Sequence, residues 1–418
     1  MSDKTEGSIK YVDGGVCASK GFHAAGLHAG FKKSKKKDLA IIYSENVCDA
    51  AAVYTTNKVK GASIIVTKEH LTNGKAGAIV VNSGNANTYA ENGIEIAKET
   101  CKIAGEALNL KAEDILVCST GVIGEKLSID PFKAGIPKAA KTVLAGDTEG
   151  RYYGSLQAAE AMMTTDKIKK EVAVSFTLGG KTCHIGGISK GSGMINPNMA
   201  TMLAFITTDV DIDSKILRVA LKNDINNSFN QISIDGDTST NDTVIVMANG
   251  QSGNKRITSA GKNFDIFSAA LNAVTVKLAK MMAKDGEGAT KLIECKVKNA
   301  PTDVIAMRIS KTVIQSDLVK TAIYGSDANW GRVLCAVGYT PGDFNVDNVD
   351  VQLASPSGEV TVCKGSFGLS FDEDLAKKIL DDDEITIIVN LHDGIAAAEA
   401  YGCDLTYDYV RINGMYRT

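Results

Sequence analysis

Apolar and polar positions along this chain change period several times, and the changes outline its elements. Short β-rich runs at 76–81, 114–118, 171–177, 202–207 and 243–248 predict strands. Between them, apolar residues recur at helical spacing. In 92–108, Ile94, Ala97, Cys101, Ala104 and Leu108 fall on one face of a predicted helix. The stretches 213–222, 264–284 and 372–380 follow the same rule, and Pro131 and Pro137 bracket a further helical stretch. Adjacent strand pairs at 171–178 with 181–189, and at 350–355 with 359–364, predict hairpins. Hairpins favour a mixed or antiparallel sheet with helices packed outside over a doubly wound parallel sheet.

Composition narrows the picture. The 418 residues suggest two to three domains and enough chain for a sizeable core. Forty glycines against six prolines mean many tight turns, yet no Gly/Ser linker, low-complexity segment or repeat marks a boundary. A net charge of -3 and a pI near 6.0 argue against binding nucleic acid or a membrane surface through a basic face. Lys32, Lys33, Lys35, Lys36 and Lys37 break the balance, and a solvated loop is expected there. The polar start, 1–10, carries no signal-peptide pattern, and no apolar run approaches the ~18 residues of a membrane span. Nine scattered cysteines form no CxxC pair, so reduced, buried thiols in a cytoplasmic protein are expected, with no metal site. His392 and Asp393 share a turn that reads as a satisfied loop.

Candidate chemistry lies in segments rich in small and polar residues where a regular element should end. NSGNAN (82–87) and STGVIG (119–124) each follow a strand and suit turns. DGDTSTND (235–242) invites a calcium reading but lacks the EF-hand ligand order. DGEGATK (285–291) lacks the spacing of a phosphate loop. In 190–209, KGSGMINPNMATMLAFITTD, Thr201 stands behind a Gly/Asn/Pro turn and before an apolar β-run. An N-terminal-nucleophile enzyme puts its catalytic residue at such a place: the chain is cut before the Thr, and the freed α-amine becomes the base for the hydroxyl. Threonines at strand starts are common, so the pattern alone leaves the role of Thr201 open.

Taken together, these motifs resemble the ornithine acetyltransferases, the glutamate N-acetyltransferases of the arginine pathway. The likeness runs from GGVCASKGFHAAGLHAG (14–30) through NSGNAN, STGVIG, MTTD (163–166), KGSGMINPNMATML, DGDTSTND, DGEGATK and YGSDANWGR (324–332) to INGMYRT (412–418). Small departures occur at Thr88 and Tyr89, where small residues are expected, at Ala328, where Pro is frequent, and at Arg417, where Thr is.

The resemblance implies an α/β fold, a mixed-sheet layered sandwich of the ornithine acetyltransferase and β-aminopeptidase type. It implies self-cleavage between Ala200 and Thr201, giving an alpha chain, 1–200, and a beta chain, 201–418, assembled as a heterotetramer of two of each. Thr201 would be the nucleophile, with Thr120 and Gly121 as the oxyanion hole. Thr164, Lys190, Thr201, Glu287, Asn413 and Thr418 would bind substrate. The implied reaction passes acetyl from N2-acetyl-L-ornithine to L-glutamate by a ping-pong route, with no metal or redox cofactor. Some members also use acetyl-CoA as a co-substrate, which the resemblance leaves open. Beside these roles stand plainer ones: Lys190 as a turn lysine, Glu287 as a solvated helix-end acid, and Thr165 in place of its neighbour Thr164. A self-cleaved hydrolase acting on peptides, and a non-catalytic binding protein, are the rival functions.

Overall fold

A strand buried at every position is covered on both sides, and Leu203–Thr208, apolar from Leu203 to Ile206, is such a strand. The computed structural model describes residues 7–146, 152–196 and 202–415. Among them, nine strands make one mixed sheet. Its order is Lys10–Val12, Lys170–Leu178, Lys181–Lys190, Leu203–Thr208, Thr243–Ala248, Leu39–Tyr54, Lys75–Asn85 and Ile115–Val122, with Phe22–Leu27 paired to the first part of Leu39–Tyr54. Leu203–Thr208 runs parallel to Thr243–Ala248, with Leu203 beside Thr243, and antiparallel to Lys181–Lys190.

Leu39–Tyr54 explains the layering. A register shift between Tyr43 and Cys48 lets this 16-residue strand bend. Before the shift, Leu39 and Ile41 face one set of outer helices while Ala40 and Ile42 face inward. After it, Ala50 and Ala52 face inward and Ala51 and Val53 meet a second set. The sheet therefore folds over into two β-layers with helices outside each. Gly93–Leu108 and Asp130–Leu144 cover one layer through Cys101, Leu108, Phe132 and Ile136. Ser214–Asn226 and Lys262–Lys284 cover the other through Leu217, Leu221, Phe267 and Leu278. Leu203, Phe205, Ile245 and Met247 meet Ile79, Val81 and Leu116 between the layers, together with Met162 of the helix Tyr153–Met162.

A second sheet, seven-stranded among the described residues, is ordered Phe367–Gly368, Gly358–Lys364, Asp350–Ser355, Glu384–Asn390, Leu292–Ala300, Ala396–Cys403 and Ile232–Ser233. Its core, including Ile309, Val313, Val333, Ile379 and Ile387, is shared with the helices Asp303–Gln315, Trp330–Gly338 and Glu373–Leu380. The mixed-sheet layered sandwich expected from the sequence is the fold that forms.

The predicted strands and helices occur with ends moved by a few residues. Asp213 and Asp372, read as first helical residues, are N-caps whose carboxylates accept from the amides of Lys215 and Leu375. Both predicted hairpins form. Pro137 does not end its helix: Asp130–Leu144 runs through it, because Ile136, Ala139, Ala140 and Val143 are buried on either side. Lys262–Lys284 is, among the described residues, the one helix long and apolar enough by length and composition alone to cross a membrane. Its Phe267, Leu271, Val274, Leu278 and Met282 are packed in the core instead. Eight of the nine cysteines are buried, Cys335 being exposed, and burial pushes the Cys48 and Cys101 thiols up to about 12.

Candidate functional site

Two parallel strands bring distant motifs together. Ser83 lies beside Thr120 and Gly84 beside Gly121, so NSGNAN and STGVIG end at one place. Gly121 has φ +127°, and a Cβ there would sit 2.4 Å from the carbonyl carbon of Gly84. Only glycine lets these two turns approach so closely. The Lys190 ammonium, at the end of Lys181–Lys190, donates to Thr120 Oγ1 over 3.4 Å. That bond uses a lone pair of the hydroxyl and leaves its hydrogen available to another acceptor.

Beneath this corner lies a buried ionic cluster. Lys170 Nζ contacts Asp166 Oδ1 at 2.8 Å and Asp285 Oδ2 at 2.5 Å, with all three side chains at most 3% exposed. Burial works against the charge on Asp166, but the ammonium groups of Lys190 and Lys170 outweigh it and hold this carboxyl well below the usual carboxylate range. Asp166 also accepts from the amides of Thr164 and Gly191, at 3.0 and 2.8 Å. Asp285 accepts from the amides of Lys167 and Ile168. One cluster thus fixes the Thr164 segment, the chain just after Lys190, and the helix end that leads to Glu287.

Glu287 is 8% exposed, so it is not the solvated helix-end acid of the plainer reading. Its amide donates to Ser192 O at 2.8 Å, and its Oε2 accepts from Asn413 Nδ2 at 2.8 Å. Gly193 makes room for it, since a Cβ there would meet the carboxylate at 2.4 Å. Lys190, likewise 8% exposed, is not a surface turn lysine.

These residues surround one cavity of about 170 Å³, lined by Thr120, Gly121, Thr164, Lys190, Glu287 and Asn413. Thr165, the alternative weighed beside Thr164, lines it too, as do Met194, Ser239, Thr240 and Asn241, which were not expected from the sequence. Thr165 holds Ser192 through their hydroxyls at 2.7 Å, while Thr164 is anchored by its amide. A second cavity of about 430 Å³ adjoins at Gly121 and Thr164 and is walled partly by Lys32, Lys33 and Lys36. The lysine run is therefore more than a solvated loop. Lys32 bonds the carbonyls of Lys37 and Met163, and burial brings its ammonium down to about 8. Ala200, Thr201 and Thr418 lie outside the described residues. Met202, next after Thr201, is buried, and its carbonyl accepts from the Thr243 amide at 2.8 Å.

The aspartates of DGDTSTND serve separate tasks. Asp235 accepts from the amides of Met194 and Ile195, holding the KGSGMIN turn at 2.6 and 2.8 Å. Asp237 is exposed. Asp242 is buried, which pushes its carboxyl well above the usual carboxylate range, and the Met202 amide faces it. Among the described residues no group of three or more His, Cys, Asp or Glu could hold a metal ion. His392 bonds Asp350 at 2.7 Å in a turn of the second sheet, as a satisfied loop residue does.

The ArgJ family profile matches residues 23–418. Over 411 residues the chain is 52% identical to the Arginine biosynthesis bifunctional protein ArgJ of Caldanaerobacter subterraneus subsp. tengcongensis, covering 98% of this chain and all of that one. It is 46% identical over 417 residues to the Glutamate N-acetyltransferase of Methanocaldococcus jannaschii, with 98% and 100% covered. A solved structure of Arginine biosynthesis bifunctional protein argJ from Bacillus halodurans is 47% identical, covers 51% of this chain and 98% of its own, and has a TM-score of 0.49. With a family profile across nearly the whole length and relatives near half identity from end to end, the chain belongs to the ArgJ family of arginine-biosynthesis acyltransferases.

Proposed function

We propose that this chain is a glutamate N-acetyltransferase that moves acetyl from N2-acetyl-L-ornithine to L-glutamate through an acetyl ester on Thr201. Self-cleavage between Ala200 and Thr201 frees an α-amine, and residues 1–200 and 201–418 stay together as paired subunits of a heterotetramer. The Thr201 hydroxyl attacks the acetamide carbonyl while the α-amine takes its proton and passes it to the departing ornithine amine. The Thr120 hydroxyl and Gly121 amide stabilise the oxyanion. Glutamate's amine then attacks the ester, and the same groups return Thr201. Lys190 faces the α-carboxylate that donor and acceptor share, and Glu287, held by Asn413, faces the ornithine ammonium. Thr164 and Thr418 complete the substrate contacts. No cofactor takes part in this route.

The observation that carries this reading is the convergence on one cavity of Thr120, Gly121, Thr164, Lys190, Glu287 and Asn413, drawn from separated motifs. The cavity's chemistry suits the ligand: a cation, an anion and hydroxyl groups within a volume near that of one amino acid. Ornithine release from acetylornithine, measured with and without glutamate, tests it. Release that turns over only with glutamate is the expected result. Glutamate-independent release would make the chain a hydrolase, and no release at all would make it a binding protein.

A further inference from the structure

We infer that Asn241 is a positioning residue for the oxyanion hole, an inference that rests on the acetyl-transfer reading above. Its side chain joins three segments far apart in sequence. Nδ2 donates to Ala86 O at 2.5 Å and to Ser119 O at 3.0 Å. Oδ1 accepts from the Thr88 hydroxyl at 2.6 Å and the Thr240 hydroxyl at 2.5 Å. Two carbonyls on one side and two hydroxyls on the other admit a single orientation of the amide, so the residue cannot flip. Asn241 is 6% exposed and lines the same cavity as Thr120 and Gly121.

Fixing the Ser119 carbonyl also fixes the residue two places along. Ser119, Thr120 and Gly121 belong to the strand Ile115–Val122. In an extended strand, backbone polar groups at i and i+2 point to the same side. Holding the Ser119 carbonyl toward Asn241 therefore turns the Gly121 amide toward Asn241 as well, on the cavity side. The bond to Ala86 O holds the neighbouring turn, which Gly121 touches through Gly84. An oxyanion donor contributes most when its direction is fixed before the reaction, because no reorganisation is then needed as charge develops. Asn241 supplies that fixity without touching the reacting atoms.

The test uses purified full-length protein with Asn241→Ala and Thr88→Val, the latter a milder change that removes one bond to Oδ1. Melting temperature and cleavage state establish that each is folded, and the acetyl-loadable fraction normalises the rates. The expected result for Asn241→Ala is kcat down ~10²-fold per loadable site, with KM within about threefold. Thr88→Val should lower kcat by roughly fivefold, the worth of one neutral hydrogen bond. If Asn241→Ala does not fold or cleave, Thr88→Val alone decides. Folded variants with kcat within twofold of wild type, or with KM alone changed, would overturn the role. Wild-type protein that neither cleaves nor turns over would instead overturn the acetyl-transfer reading.

Discussion

Thr120 lines the cavity, and its hydroxyl accepts from the Lys190 ammonium, which leaves it free to donate. Thr120→Ala removes a donor used mainly in the transition state, so kcat should fall ~10²–10³-fold with KM nearly constant. Steady-state kinetics check this, and an effect confined to KM would make Thr120 a binding residue. Thr120 and Gly121 were legible as a pair because a strand runs straight into a glycine turn. Their roles came from the resemblance. Asn241 was not legible: its partners Ala86 and Ser119 stand 155 and 122 residues away, and no local pattern announces a contact that the fold creates. Thr88, seen in the sequence only as a departure from small residues, is one of that amide's hydroxyl partners.

At the scale of elements, the strand Lys170–Leu178 was predicted nearly to its ends, but its first residue would pass for a surface lysine. Asp166 and Asp285 make Lys170 a buried one, and hydropathy along the chain carries no trace of such a pairing. Lys170→Met leaves two buried carboxylates without their shared cation and should cost about 3–5 kcal/mol. Denaturant unfolding reads this, and a loss below ~1 kcal/mol would mean the cluster is dispensable. Stability should also depend on pH. The native state holds Asp166 below its unfolded value near 3.8, so its stabilisation is complete above that value and is lost as pH falls through it toward the native pKa. The stability gap between wild type and Asp166→Asn should thus be constant from neutral pH down to about 5 and shrink below 4.

For the whole molecule, the decisive element is Leu39–Tyr54, which serves both β-layers and was not predicted. Its alanines, Asp49 and mid-strand Glu45 weaken the β signal in sequence, and the layers that cover it supply the burial that holds it. The strands Leu292–Ala300, Glu384–Asn390 and Ala396–Cys403 of the second sheet were missed as well. Where an apolar run was unbroken, as in 202–206, the reading succeeded, because the strand Leu203–Thr208 that it opens is buried on both faces. Phe205, fully buried between the layers, gives the test of this core. Phe205→Ala should destabilise by about 3–5 kcal/mol in denaturant unfolding.

The central claim is that Thr201 is released by cleavage and then carries the acetyl group. Intact mass spectrometry of the purified protein, before and after incubation with acetylornithine alone, tests it most directly. Two chains of 200 and 218 residues, ~21 and ~23 kDa by share of the total mass, should be seen at the start. Only the larger should then gain about 42 Da, on the peptide beginning at Thr201. Thr201→Ala should remain a single chain with no adduct, and Thr201→Ser should still divide. A wild-type chain that stays at 44.1 kDa after long incubation, or that divides yet never takes up acetyl, would contradict the account.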